Sequence, residues 1–230
     1  MRRQTLVNRK APSQTALRNI RPTSEERRRS LPGHIDIIGA AMPFARNTEI
    51  YGENERAEYF YKVLSGSVRT YKVLNDGRRQ INAFYLPGDV FGIEAGDDHS
   101  LSAEAVVNCK VLVIKRSTLV ALAARDGEVA REFWTMTAGE LQRAQQHIML
   151  LVKSAQKRVA GFLLEMSRRG QGGDEIDLPM PRQDIADYLG LTIETVSRVL
   201  TQLENASAIT VTSSRHITLR NRNALSRLNS

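Results

Sequence analysis

This chain of 230 residues has a single cysteine, Cys109. One thiol cannot close an intramolecular disulfide. Nor can it supply the four cysteines of an iron–sulfur cluster or a zinc site. No run of about 18 apolar residues occurs, so no membrane span is expected. No apolar segment follows the start in the manner of a secretory signal, and a cytoplasmic location is expected. Catalytic signatures are missing too: there is no H-E-x-x-H, no G-x-S-x-G, no phosphate loop and no Cys/His pair at suggestive spacing. Asp97 and Asp98 are neighbouring carboxylates in a glycine-flanked loop and read as solvated groups. An enzyme is not expected.

What is present is a globular composition, 41% hydrophobic, with a net charge of +8. That charge is uneven. Residues 1–30 carry nine Lys/Arg and two Glu, a net of +7. Residues 31–152 carry a net of −2, and residues 153–230 a net of +3. Total charge therefore does not by itself establish a nucleic-acid-binding domain. Residues 1–30 also lack periodicity and contain Pro12 and Pro22, so a disordered basic tail is expected there.

Residues 31–125 read as β-rich. The β-prone runs are Ala57–Leu64, Ser67–Leu74, Gln80–Tyr85, Ser102–Val107 and Lys110–Ile114. Ser65-Gly66, Asn75-Asp76-Gly77 and Pro87-Gly88-Asp89 punctuate them as turns. Short strands with glycine corners predict an antiparallel barrel or jelly roll. A short helix is expected over Ser117–Ala124, and a long helical pattern follows Gly127. Within it Trp134, Thr137, Leu141, Ala144, Ile148, Leu151 and Ala155 recur at alternating steps of three and four. That seven-residue period fits a two-stranded seam between subunits better than packing on the chain's own β domain. A bend is expected at Ser154–Lys157. The next helix, Ala155–Arg169, places Val159, Phe162, Leu163 and Met166 on one face.

The stretch Arg182–Leu203, RQDIADYLGLTIETVSRVLTQL, organises the rest. Ile185 and Leu189 lie one turn apart. Val196, Val199, Leu200 and Leu203 repeat at helical spacing. Ala186 is small where two crossing helices must approach. Gly190 supplies the positive φ of a tight turn, and Thr192 suits an N-cap. This is a helix-turn-helix pattern; the plainer alternative is an αα-hairpin within a core. The second helix keeps Glu194, Thr195, Ser197, Arg198, Thr201 and Gln202 on its outer face, which a buried helix would not. Two short β-prone runs, Ile209–Thr212 and His216–Leu219, form a hairpin placed as a wing. A final helical turn is expected over Asn223–Leu228.

With these pieces in place, the chain resembles the CRP/FNR family of bacterial transcription regulators, most closely its FNR/FixK branch. The resemblance rests on L64-S-G-S-V-R, L86-P-G-D-V-F-G, the long helix, R158-V-A-G-F-L-L and R182-Q-D-I-A-D-Y-L-G-L-T-I-E-T-V-S-R. It implies an α+β fold: an N-terminal double-stranded β-helix (a jelly-roll-like β-roll), a long dimerisation helix over residues 126–154, and a C-terminal winged helix-turn-helix over 155–230. It implies a homodimer on double-stranded DNA bearing an inverted repeat, with RNA polymerase as a partner. By analogy, the loop Gly170–Glu175 and the turn Asn75–Arg79 are candidate polymerase contacts. It implies that Glu194, Ser197 and Arg198 read bases and that Arg182, Gln183, Thr192 and Thr195 contact the backbone. Trp134, Leu141, Ala144, Ile148 and Leu151 would form the dimer seam.

Chemistry agrees at the base-reading positions. Residues 194, 197 and 198 share one exposed face. Glu194 can accept from a cytosine amino group, and Arg198 can donate to guanine O6 and N7. Ile193 stands where the CRP branch has an arginine. Its methyls can pack on thymine, which predicts a TTGA-type half-site. Cyclic-nucleotide members of the family hold phosphate with an arginine where this chain has Leu101, and oxygen-sensing members carry an N-terminal cysteine cluster that is lacking here. The expected protein is thus an activator needing no cofactor, neither cyclic nucleotide nor iron–sulfur cluster. The alternative, a regulator gated by an unrecognised small ligand or by haem, stays open because His34, His99, His147 and His216 are available.

Overall fold

The computed structural model describes residues 38–170 and 173–229. The expected basic tail and His34 lie outside them. The chain divides into two compact units. One runs to Thr70 and takes in Tyr85–Thr137; the other takes in Tyr71–Phe84 and the chain from Ala138 on.

The first unit is most of a β-roll, whose residues 71–84 belong to the other unit. The strands of the roll are β1 (Ala40–Phe44), β2 (Glu49–Tyr51), β3 (Tyr59–Ser65), β4 (Val68–Val73), β5 (Arg79–Tyr85), β6 (Val90–Phe91), β7 (Ser102–Ala105) and β8 (Cys109–Lys115). They form two four-stranded sheets, ordered β1-β8-β3-β6 and β2-β7-β4-β5. Tyr51 of the second sheet meets Tyr61 and Phe91 of the first, at centroid distances of 5.2 and 6.2 Å. Strand β8 is buried along nearly its whole length. A strand covered on both faces needs such a continuous apolar run. Leu112 and Ile114 turn away from the roll and pack with Phe60, Leu119, Val129 and Phe133. Leu119 belongs to helix α1 (Arg116–Ala123); Val129 and Phe133 belong to α2 (Gly127–Leu151). Gly66 sits between β3 and β4 at φ 78°, where an added Cβ would lie 2.5 Å from the Asn108 carbonyl oxygen. Both the left-handed backbone and the close approach require glycine there.

The second unit is helical with a small sheet. After α2, the chain breaks at residues 152–154 and resumes as α3 (Ala155–Arg169), whose Val159, Phe162, Leu163 and Met166 are buried. Next come β9 (Glu175–Asp177), α4 (Arg182–Leu189), α5 (Ile193–Asn205), β10 (Ile209–Val211), β11 (His216–Leu219) and α6 (Arg222–Asn229). The sheet order is β10-β11-β9, antiparallel throughout. The fold is therefore a β-roll followed by a C-terminal winged helix-turn-helix, as the sequence predicts. Strand β9 has no counterpart in the sequence reading: three residues with one buried apolar side chain, Ile176, carry too little periodicity to read. The β4–β5 hairpin end, residues 71–84, packs within the helical unit, and there the Phe84 ring lies 5.2 Å from Tyr188 and 6.4 Å from Phe162.

Candidate nucleic-acid interface

Helices α4 and α5 are set by their junction. Ala186 is fully buried, and Gly190 adopts φ 60°, ψ 43°, donating its amide to the Ala186 carbonyl. That left-handed cap ends α4 and lets the chain turn at once. The carbonyls left over at the end of α4 find Arg158 of α3, whose Nη1 reaches the Leu189 oxygen at 2.8 Å and the Gly190 oxygen at 3.4 Å. The same guanidinium donates through Nε to the Lys153 carbonyl at 2.8 Å. One arginine thus joins the interhelix break to the helix-turn-helix junction. Helix α5 begins on Thr192, whose hydroxyl accepts the Thr195 amide at 3.2 Å. Val196, Val199, Leu200 and Leu203 bury the inner face of α5. At its far end, Glu204 accepts the Val211 amide of the wing at 2.9 Å.

The outer face keeps its polar groups in solvent. Glu194 and Arg198 are exposed one turn apart, and Ile193, Thr195 and Ser197 are half-buried beside them. Backbone hydrogen bonding and then the Thr192 hydroxyl hold the Glu194 carboxyl below its ordinary range, so it is an ionised acceptor at neutral pH. Arg182, half-buried at the head of α4, extends Nη1 to the Ser197 hydroxyl at 3.4 Å, while its Nε has no hydrogen-bond partner. Gln183 is exposed and donates to Asp187 at 2.7 Å. Thr192 and Thr195 share a hydroxyl–hydroxyl bond of 3.1 Å. The wing carries His216, whose Nδ1 lies 2.7 Å from Asp177 of β9; that carboxylate raises the imidazole above its ordinary value.

On α2, Trp134, Leu141 and Ile148 are 74%, 59% and 62% exposed. Ala144 is exposed as well, and Leu151 is half-buried. The opposite side of the same helix is occupied: Phe133 and Met136 pack on the roll, and His147 and Leu150 are buried.

Within the roll, the segment after Gly92 is rich in carboxylates. Glu94 accepts both the amide and the hydroxyl of Ser100 at 3.1 Å. Asp97 and Asp98 face Arg56 at 3.5 Å in solvent. His99 is 2% exposed, stacks on Tyr51 at 3.6 Å between centroids, and has no hydrogen-bond partner for either ring nitrogen. Arg69, a buried cation of this unit, pairs with Glu104 at 2.6 Å. Cys109 is buried, which pushes its thiol up to about 11. The sequence gives no sign of one further contact: Arg79 of β5 reaches Asp184 and Asp187 of α4.

Comparison with known proteins matches both halves of the chain. Residues 41–126 match the cyclic nucleotide-binding domain and residues 157–228 the Crp-like helix-turn-helix domain. The chain is 52% identical to the nitrogen fixation regulation protein FixK of Azorhizobium caulinodans, over 85% of this chain and 82% of that one. It is 32% identical to the fumarate and nitrate reduction regulatory protein of Escherichia coli, over 84% and 80%. The structure of FixK2 from Bradyrhizobium japonicum superposes with a TM-score of 0.80 at 51% identity, covering 84% of this chain and 98% of that one.

Proposed function

The chain belongs to the CRP/FNR family of transcription regulators, and from that premise we propose that it is a cytoplasmic activator of the FixK type. Two copies bind a TTGA-type inverted repeat without cyclic nucleotide or iron–sulfur cluster. The observation that carries this reading is the exposed pair Glu194 and Arg198 on a helix whose other face is buried. In a major groove, the Glu194 carboxylate accepts from cytosine N4 while Arg198 donates to guanine O6 and N7 of the same base pair. Ser197 adds a hydroxyl, and the Ile193 methyls meet a thymine methyl. Arg182, Gln183, Thr192 and Thr195 meet phosphates, which fixes register without reading sequence.

Dimerisation follows from α2. Its exposed Trp134, Leu141 and Ile148 are seven residues apart, and a lone chain leaves this apolar stripe in water. A second copy of the helix covers it, and two-fold symmetry sets the recognition helices about 34–36 Å apart, in successive major grooves. Independence from cyclic nucleotide is supported by Leu101, which offers no cation where the family's cyclic-nucleotide members have an arginine. Activation follows through RNA polymerase bound beside the site.

The test is selection from randomised duplexes with purified protein and no added ligand. Recovery of an inverted TTGA repeat is expected. Recovery of unsymmetrical sequences, or capture of DNA only after a small molecule is supplied, contradicts the proposal.

A further inference from the structure

The hairpin end between β4 and β5 grips the first helix of the helix-turn-helix. Arg79 Nη2 lies 2.5 Å from Asp184 Oδ1 and 2.7 Å from Asp187 Oδ2, and its Nε donates to the same Asp187 oxygen at 2.9 Å. The guanidinium carbon also sits 5.8 Å from the Tyr71 ring centroid. Beside it, Gln80 Nε2 approaches the Tyr188 carbonyl at 3.4 Å. The planar fork of arginine suits this task, since it can meet two carboxylates at once where a lysine meets one.

The two carboxylates differ. Asp184, in the first turn of α4, is 2% exposed. A buried carboxylate that loses a paired cation keeps its desolvation cost without the compensating charge, which favours movement of the helix that carries it. Asp187 is nearer the surface and has a second duty. Its Oδ1 accepts from Gln183 Nε2 at 2.7 Å while Oδ2 accepts from Arg79. Arg79, Asp187 and Gln183 thus form one chain of contacts. It runs from the hairpin to the exposed head of α4, next to Arg182.

We propose that Arg79 is a positioning residue for DNA binding: through Asp184 and Asp187 it fixes the head of α4 so that Gln183 and Arg182 meet the phosphate backbone. This rests on the reading of α4 and α5 as the DNA interface. Because the groups it positions face phosphates, its effect falls on affinity for every sequence alike.

The test measures dissociation constants of the full-length protein by fluorescence anisotropy at one salt concentration. It uses a TTGA palindrome and a scrambled duplex, with wild type, Arg79→Ala, Gln183→Ala and the double variant. Arg79→Ala should weaken both duplexes by about tenfold, within the usual range of coupling between sites. The double variant should be no weaker than the worse single variant, because both changes cut one chain of contacts. A purely structural role would multiply the two losses. Affinity of Arg79→Ala within about twofold of wild type, or multiplied losses in the double variant, overturns the proposal. Circular dichroism checks folding. If Arg79→Ala does not fold, Arg79→Lys replaces it: a several-fold loss is expected, and wild-type affinity overturns the proposal. Failure of the wild type to prefer the palindrome would instead defeat the DNA-site reading, a separate outcome.

Discussion

At the scale of the residue, the two proposed classes of DNA contact separate by experiment. Glu194 is exposed and ionised, and its capped first turn holds it in place. Glu194→Ala should erase about 1–3 kcal/mol of discrimination at one G·C pair and leave the other positions of the site unchanged. Arg182 sits at the other helix and reaches Ser197 rather than solvent alone. Arg182→Ala should weaken all duplexes similarly and lower the salt slope of binding by about one. Competition binding against single-base variants of the half-site, repeated at several salt concentrations, distinguishes them. Equal loss at every position for Glu194→Ala would remove it from the base-reading set.

At the scale of the element, α2 and α4 are joined by an imidazole. His147 stacks on Tyr188 with ring centroids 3.9 Å apart, and its Nδ1 has no hydrogen-bond partner. Burial holds its pKa at about 4. In the unfolded chain the same group titrates near 6.5. Its folded value is thus depressed, and below pH 6.5 the unfolded state binds the proton first. This group therefore contributes stability that is fully present above pH 6.5 and is lost as pH falls toward 4. His147→Phe keeps the ring stack and removes the titration. Its melting temperature should fall less between pH 7 and 4 than that of the wild type; identical profiles would contradict the assignment. None of this was legible in the sequence, where His147 is one polar residue on a long helix. What could be read was local. Helices α4 and α5 followed from Ala186, Gly190, Thr192 and the buried stripe, all within about twenty residues. The long strands of the roll were readable from β-branched runs. Short strands were readable only in part: β7, β10 and β11 were read, whereas β1, β2, β6 and β9, two to five residues long, were not. Arg79 escaped because its partners lie 105 and 108 residues away.

At the scale of the whole molecule, the account requires two copies. The exposed stripe of α2 is apolar at seven-residue intervals, and replacing Leu141 and Ile148 by glutamate places like charges face to face across the seam. Sedimentation velocity should then report a monomer that keeps its helical circular-dichroism signal. Persistence of the dimer would move the interface elsewhere. A monomer retains one reading head and its phosphate contacts, so it should keep weak, salt-dependent binding and lose preference for a symmetric site. The most direct measurement is the affinity of purified, ligand-free wild-type protein for two TTGA half-sites arranged as an inverted repeat, compared with the same half-sites arranged head to tail at the same spacing. Tighter binding of the inverted repeat is predicted, because only that arrangement offers a half-site to both recognition helices of a two-fold dimer; equal affinity for the two arrangements would contradict this.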